Sequence, residues 1–358
     1  MRATRPALEV RPDIADLDPY VSPQLPARYR LNSNESPHPP PAELIASVAG
    51  KLAEIAINRY PDDEARELYA AIAKRSGWRP DGVWVANGSN EIFLHLFLAF
   101  GGPQRSALLF SPTYSLHSSI PRITGTDVLE VDRTESFLID LDAAAGAIRR
   151  ARPDVVIVCS PNNPSGACEP VPTTRALAEE APGLVVVDEA YIEFAGESDS
   201  AASLLDEYPN LVIVRTFSKA WRLAGVRIGY MLADPITVSE LRRVRLPYHL
   251  SSIAQAMGLA ALEHGPETLD AVQEIVMERE RIALELQTMG VLAHPSRANF
   301  VLFETHDPEA LWRALLDRGV LVRSYSGQRG LEHCLRVTVG LPDENSAFLA
   351  AMKEIAVA

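Results

Sequence analysis

Cysteine is scarce in this sequence: Cys159, Cys168 and Cys334 are the only three in 358 residues, with no CxxC spacing. An odd, unspaced set excludes a disulfide framework and fits a reducing cytoplasm. The eight histidines are scattered, with no HExxH and no Cys/His run, so no metal site is expected. Positive charge is also short: Lys+Arg number 34 against Asp+Glu 47, a formal net charge of -13. That balance argues against nucleic acid as a partner, while leaving room for a local basic pocket. No uncharged apolar run reaches membrane-spanning length, the greasiest being Ile92 to Phe100. Met1 to Pro26 carries five prolines and no apolar core of a signal peptide, so secretion is not expected. No GxGxxG follows the first strand, which disfavours a nicotinamide-binding Rossmann protein.

What is present describes a globular protein with ample core: 47% of residues are hydrophobic, and the length has room for two domains. Residues 1–42 are rich in proline and read as an arm. Helices are expected over Pro41–Ala56 and near Glu64–Arg75. Apolar runs then alternate with helical stretches: Val83–Ala86, Ser106–Phe110, Val128–Val131, Val155–Cys159, Leu184–Val187 and Leu211–Val214. Continuous β-branched runs mark parallel strands covered on both faces, and their alternation with helices implies an α/β doubly wound sheet. After Leu246-Pro247 the pattern changes. Long helices are expected over Ser251–His264 and Pro266–Met289. Strands around Phe300–Phe303, Val320–Val322 and Leu335–Val339 are interleaved with two helices, a small α+β unit.

Polar residues collect just past the strand ends, where open α/β sheets keep their ligands. Lys219 follows the strand ending at Val214, among apolar neighbours. Such a lysine either is an ordinary surface Ser-Lys turn or carries a lowered pKa and attacks an aldehyde to form a Schiff base. Arg227, eight residues on (227 − 219), is a fixed cation suited to a phosphate. Asp188 ends an apolar run and is either a structural cap or ion pair, or the partner of a pyridine nitrogen. Tyr191 and Asn163 can both reach a ring hydroxyl; alone, they are equally a half-buried tyrosine and a turn asparagine. Ser89 and Asn90 open an apolar helix whose free amides form an anion site or a plain cap. Tyr114 could stack on an aromatic cofactor or pack in the rim.

The motifs carry a resemblance. Leu31-Asn32-Ser33-Asn34-Glu35-Ser36-Pro37, Arg59-Tyr60-Pro61-Asp62, Asn87-Gly88-Ser89-Asn90-Glu91, Pro112-Thr113-Tyr114, Ser160-Pro161-Asn162-Asn163-Pro164-Ser165-Gly166, Val187-Asp188-Glu189-Ala190-Tyr191, Ser218-Lys219-Ala220, Gly225-Val226-Arg227-Ile228-Gly229 and Arg336-Val337-Thr338-Val339-Gly340 stand in order. Together they resemble the fold-type I aminotransferases dependent on pyridoxal 5′-phosphate (PLP), and most of all the histidinol-phosphate aminotransferase group. The likeness runs from about Pro19 to Leu349. It implies a large PLP-binding domain over 43–265 and a small domain formed by the arm (1–42) with residues 266–358.

The resemblance also implies roles. Lys219 would bind the cofactor and shuttle a proton; Asp188 would pair with the pyridinium nitrogen. Tyr191 and Asn163 would contact O3′, and Tyr114 would stack on the ring. Ser89, Asn90, Thr216, Ser218 and Arg227 would surround the phosphate, with Tyr60 reaching it from the neighbouring subunit of a homodimer with shared sites. Arg336, Arg323 and Tyr20 would meet the substrate. The implied reaction is ping-pong amino transfer from histidinol phosphate, a small-molecule donor, to 2-oxoglutarate, a 2-oxo acid acceptor, in histidine biosynthesis. Aromatic amino-acid aminotransferases and threonine-phosphate decarboxylases share almost all these motifs. A PLP-binding module without turnover is disfavoured by the complete catalytic set. Two departures stand out: Ser36-Pro37-His38-Pro39-Pro40 lacks the group's aromatic and glycine, and Pro247-Tyr248-His249 replaces Pro-Tyr-Asn.

Overall fold

The computed structural model describes residues 10–357 apart from 16, 18 and 20–23. Among the described residues eleven strands make two sheets. In chain order they are β1 (Tyr29–Leu31), β2 (Val83–Ala86), β3 (Ser106–Ser111), β4 (Asp127–Asp132), β5 (Val155–Cys159) and β6 (Leu184–Asp188). Then come β7 (Leu211–Thr216), β8 (Gly229–Ala233), β9 (Phe300–Glu304), β10 (Val320–Ser324) and β11 (Cys334–Thr338).

The larger sheet has the order β2-β8-β7-β6-β5-β3-β4. Its central strands pair in parallel, as the β-branched runs predict. The reason is visible in β5: Val156 and Val158 enter one buried cluster, Val155 and Ile157 the cluster on the opposite face. Both faces are covered by helices, so neither can be polar. The parallel reading fails at one end. Val83–Ala86 does not pair in parallel; β2 and β7 both run antiparallel to β8. Gly229-Tyr230-Met231-Leu232-Ala233 has no β-branched residue and escapes detection as a strand.

The smaller sheet has the order β1-β10-β11-β9. The arm therefore contributes a strand: Tyr29–Leu31 pairs in parallel with Val320–Val322. A cluster containing Leu31, Phe300, Phe303, Leu335 and Phe348 packs this sheet against its helices. The expected helix Pro266–Met289 is two pieces, Gly265–Thr268 and Val272–Thr288, separated at Leu269–Ala271. The helix expected over Pro41–Ala56 spans Ala42–Glu54. No helix among the described residues is long and apolar enough to cross a membrane.

Candidate active site

The carboxyl ends of β5, β6 and β7 and the segment between β1 and the first long helix converge on one cavity. It is lined by Asn34, Ser89, Asn90, Tyr114, Asn163, Asp188, Tyr191, Thr216, Ser218, Lys219, Arg227, Arg323 and Arg336 among others. Most of the predicted set is thus brought together. Tyr60 is not: it is 79% exposed and stacked on Tyr248, ring centroids 4.3 Å apart. Tyr20 lies outside the described residues.

Lys219 sits three residues past the end of β7 (219 − 216). Its Nζ donates to the Ser33 carbonyl at 3.2 Å and lies 5.9 Å from the Tyr191 ring centre. Burial, with the nearby Arg336 cation, lowers its pKa to about 8. About a tenth of the amine is then neutral at pH 7, some hundreds of times more than for an ordinary lysine. Covalent capture of an aldehyde by the cofactor-free protein should therefore accelerate about tenfold per pH unit up to about pH 8 and then level off. Stopped-flow absorbance after mixing with PLP reads this profile. A rate that keeps climbing to pH 10 contradicts the lowered value.

Asp188 ends β6 and is 4% exposed. Its Oδ1 accepts from the Ala190 amide at 3.1 Å, and its Oδ2 lies 2.9 Å from His117 Nε2. His117 is itself fully enclosed, with Nδ1 3.2 Å from the Thr113 hydroxyl and the Tyr114 ring standing edge-on at 5.5 Å. His117 escapes a sequence reading because 71 residues separate it from the carboxylate it meets. Tyr191 is also buried, which pushes its phenol pKa up and keeps the hydroxyl protonated; Asn34 Nδ2 donates to that oxygen at 3.0 Å. Asn34 is the second residue missed as a site residue, although it stands within a recognised motif. Its Oδ1 accepts from Thr338 Oγ1 at 2.9 Å, tying the arm to β11.

One rim of the cavity is built for an anion. The helix Ser89–Phe100 starts with no side-chain cap on its Gly88 N-cap, so the first amides remain available. Gly88 has φ +83°, and a Cβ there would meet the Arg227 guanidinium at 2.6 Å. Gly229 is equally constrained: a Cβ would lie 2.4 Å from the Ser89 amide nitrogen. Arg227 donates to Ser218 Oγ at 3.3 Å, and Thr216 Oγ1 donates to the same oxygen at 3.0 Å. Hydroxyls, helix amides and one guanidinium thus face a common point, and the donor set fits a phosphate.

The opposite rim carries Arg323 and Arg336, direct cross-strand partners on β10 and β11. Arg336 is 5% exposed and donates to Asn163 Oδ1 at 2.6 Å and to the Asn32 carbonyl at 2.9 Å. Its buried Nε has no protein partner. The bond to Asn163 fixes that amide with its NH2 turned away from the arginine.

A lysine with a lowered pKa, a buried carboxylate and a phosphate-sized anion cradle on a doubly wound sheet define an enzyme that works through an aldehyde cofactor. The pattern of the aminotransferase class I and II family matches residues 29–351, and the chain belongs to that family. Among relatives, the histidinol-phosphate aminotransferase of Rhodococcus opacus (strain B4) is 46% identical over 360 residues, covering 98% of this chain and 93% of the relative. That of Thermobifida fusca (strain YX) is 46% identical over 351 residues, covering 96% and 95%. The crystal structure of histidinol-phosphate aminotransferase from Sinorhizobium meliloti in complex with pyridoxal-5′-phosphate superposes with TM-score 0.89 at 25% identity, covering 99% of each chain. L-threonine-O-3-phosphate decarboxylase from Porphyromonas gingivalis shares the fold, with TM-score 0.81 at 23% identity over 92% of this chain and all of its own.

Proposed function

We propose that this chain is a PLP-dependent aminotransferase that takes the amino group of histidinol phosphate and passes it to a 2-oxo acid, a step of histidine biosynthesis in the cytoplasm. The observation that carries the substrate is the facing pair Arg323 and Arg336. Like charges directly opposite across two strands are destabilising by themselves, so an anion between or beside them offsets that repulsion. A phosphate carries more negative charge and one more oxygen than an α-carboxylate, so it suits a rim with two cations better. The names of the relatives support the same substrate.

The cofactor is PLP, which when bound supplies an aldehyde to capture the amine and a ring that accepts the electron pair released at the substrate's carbon. The chain's own residues do the rest. Ser89, Asn90, Thr216, Ser218 and Arg227 hold the cofactor phosphate. Asp188 keeps the ring nitrogen protonated, and the His117 imidazole 2.9 Å away fixes the orientation of that carboxylate. Tyr191 donates its phenolic proton to the ring oxygen, and Asn163 adds its amide NH2. Tyr114 covers the ring. Lys219 would bind the cofactor's aldehyde and would supply the amine that takes the proton from the amine-bearing carbon of the substrate. Because no second substrate needs to be present for this half, the kinetics are ping-pong.

A half-reaction screen tests the substrate. The holoenzyme is mixed with histidinol phosphate, phenylalanine, tyrosine, glutamate or threonine phosphate and the cofactor's visible band is followed. Rapid conversion is expected with histidinol phosphate. Faster conversion with phenylalanine, or release of carbon dioxide from threonine phosphate, overturns the choice.

The working unit is a homodimer with shared sites. Ile57, Tyr60, Leu246 and Tyr248 are all exposed, Ile57 at 81% and Leu246 at 73%, with Tyr60 stacked on Tyr248, and exposed apolar groups of this kind suit an interface. Tyr60 among them would reach the partner's phosphate cradle. Mixing a Tyr60→Ala dimer with a Lys219→Ala dimer should then restore activity to about one quarter of wild type, because each heterodimer gains one intact site. No recovery after confirmed subunit exchange refutes the sharing. We divide the chain into a larger unit over 43–265 and a smaller one built from 1–42 and 266–358, a division supported by the pairing of β1 with β10.

A further inference from the structure

His294, Glu304 and Cys334 are a mixed donor set outside the cavity that holds Lys219. Cys334 opens β11 and is the direct cross-strand partner of Glu304 at the end of β9. On the other side of β9, Ala293 bridges to Phe303, and the His294 amide donates to the Leu302 carbonyl at 2.9 Å. The strand alternation therefore turns all three side chains to one face of the small sheet. His294 Nε2 lies 3.0 Å from Glu304 Oε1, and one donor atom from each of the three residues falls within 4.8 Å of the others.

We propose that these residues form a zinc site with one imidazole nitrogen, one carboxylate oxygen and one thiolate sulfur, a water completing the tetrahedron. Nitrogen and sulfur donors with one carboxylate suit Zn2+ rather than Mg2+ or Ca2+. Tetrahedral zinc spaces its donors roughly 3.3–3.8 Å apart. Assembling the tetrahedron thus requires movements of no more than about 1–1.5 Å, and the Glu304 side chain, 41% exposed, has freedom to contribute. Access exists as well, since His294 lines a cleft of about 530 Å³ bounded by Phe137, Cys168 and Arg297 among others. The Phe137 ring stands edge-on to the imidazole at 5.0 Å, holding its plane. Burial and the neighbouring Glu304 push the thiol pKa of Cys334 up to about 12. Coordination therefore expels one proton from sulfur to solvent as the Zn–S bond forms.

The site lies beside a segment that touches the active-site loop. The Arg297 amide donates to the Gly166 carbonyl at 2.8 Å, and a Cβ on Gly166 would meet Ser296 Oγ at 2.2 Å. Gly166 closes the loop that carries Asn163. An ion on His294 ties this segment, which touches that loop, to β9 and β11.

The test uses the PLP-loaded full chain, stripped with a chelator and dialysed against Zn2+, with Co2+ as the spectroscopic probe. One zinc per chain is expected by elemental analysis. The Co2+ form should show tetrahedral d–d bands in the red, beyond the cofactor's absorption. Melting temperature should rise with Zn2+ concentration. Cys334→Ser and His294→Asn should each lower affinity beyond the 10- to 100-fold that changes around a metal's ligands typically cost. Glu304→Gln, at the surface, should lower it at least about tenfold while leaving the fold intact. Absence of stoichiometric metal in the wild type overturns the proposal, and so does full retention by Glu304→Gln. Loss on Cys159→Ser with Cys334→Ser unaffected also overturns it, because the ion would then belong to the His117, Cys159 and Asp188 group under the cofactor.

Discussion

Lys219→Ala should lower turnover by roughly 10⁴-fold or more while leaving the fold unchanged. The substitution removes both the amine that captures the cofactor aldehyde and the base that moves the substrate proton. Of the residues around Lys219, Arg336 and Arg227 are guanidinium cations with no lone pair to accept a proton, Tyr191 is held in its protonated form, and the Asp188 oxygens are engaged by the Ala190 amide and His117. Borohydride should fix the cofactor to the wild-type chain and leave it dialysable from the variant. Residual turnover above about one hundredth of wild type would mean that the proton moves through another group, and the assignment of Lys219 would fall.

The second large effect is on stability and concerns a residue outside the chemistry. Arg133 is buried, and its side chain forms a 2.6 Å ion pair with Glu169. It also donates to the carbonyls of Phe110 at 3.0 Å, Phe137 at 2.8 Å and Cys159 at 3.2 Å. Arg133→Met leaves the Glu169 carboxylate enclosed without its cation and strands these carbonyls. Removing one partner of such a pair costs about 3–5 kcal/mol. Denaturant or thermal unfolding should show that loss, and Glu169→Gln combined with Arg133→Met should recover part of it. Phe110 and Cys159 lie in β3 and β5, the strands that lead to Tyr114 and Asn163. Cofactor affinity should therefore fall in the same variant. A change under about 1 kcal/mol would show that the pair contributes little to the native state.

Much of this site was legible in the chain because a parallel sheet writes its active residues just after apolar runs. Asp188, Asn163 and Lys219 each follow such a run, and the fold places all three around one cavity. Three features were not legible, for different reasons. β8 lacks β-branched residues and gains its place only by pairing with β7 and β2. β1 is three residues long and takes its conformation from β10. His117 carries no spacing signal, since its partner arrives from a strand 71 residues away. In each case the deciding interaction is non-local. Local propensity holds no record of it.

The hydrogen bonds from Asn34 to Thr338, and from Arg336 to the Asn32 carbonyl, join positions 304 residues apart. A chain emerging from the ribosome has finished β2 through β8, and with them the phosphate cradle, long before residue 338 exists. The cradle and Lys219 can meet a cofactor during synthesis, but Asn34 cannot yet be held under Tyr191. Nascent chains halted before β11 should therefore take up PLP loosely and release it on gel filtration, whereas chains extended past Thr338 retain it. Synthesis of β11, and not of the cradle alone, then sets the earliest moment at which one chain can hold the cofactor firmly.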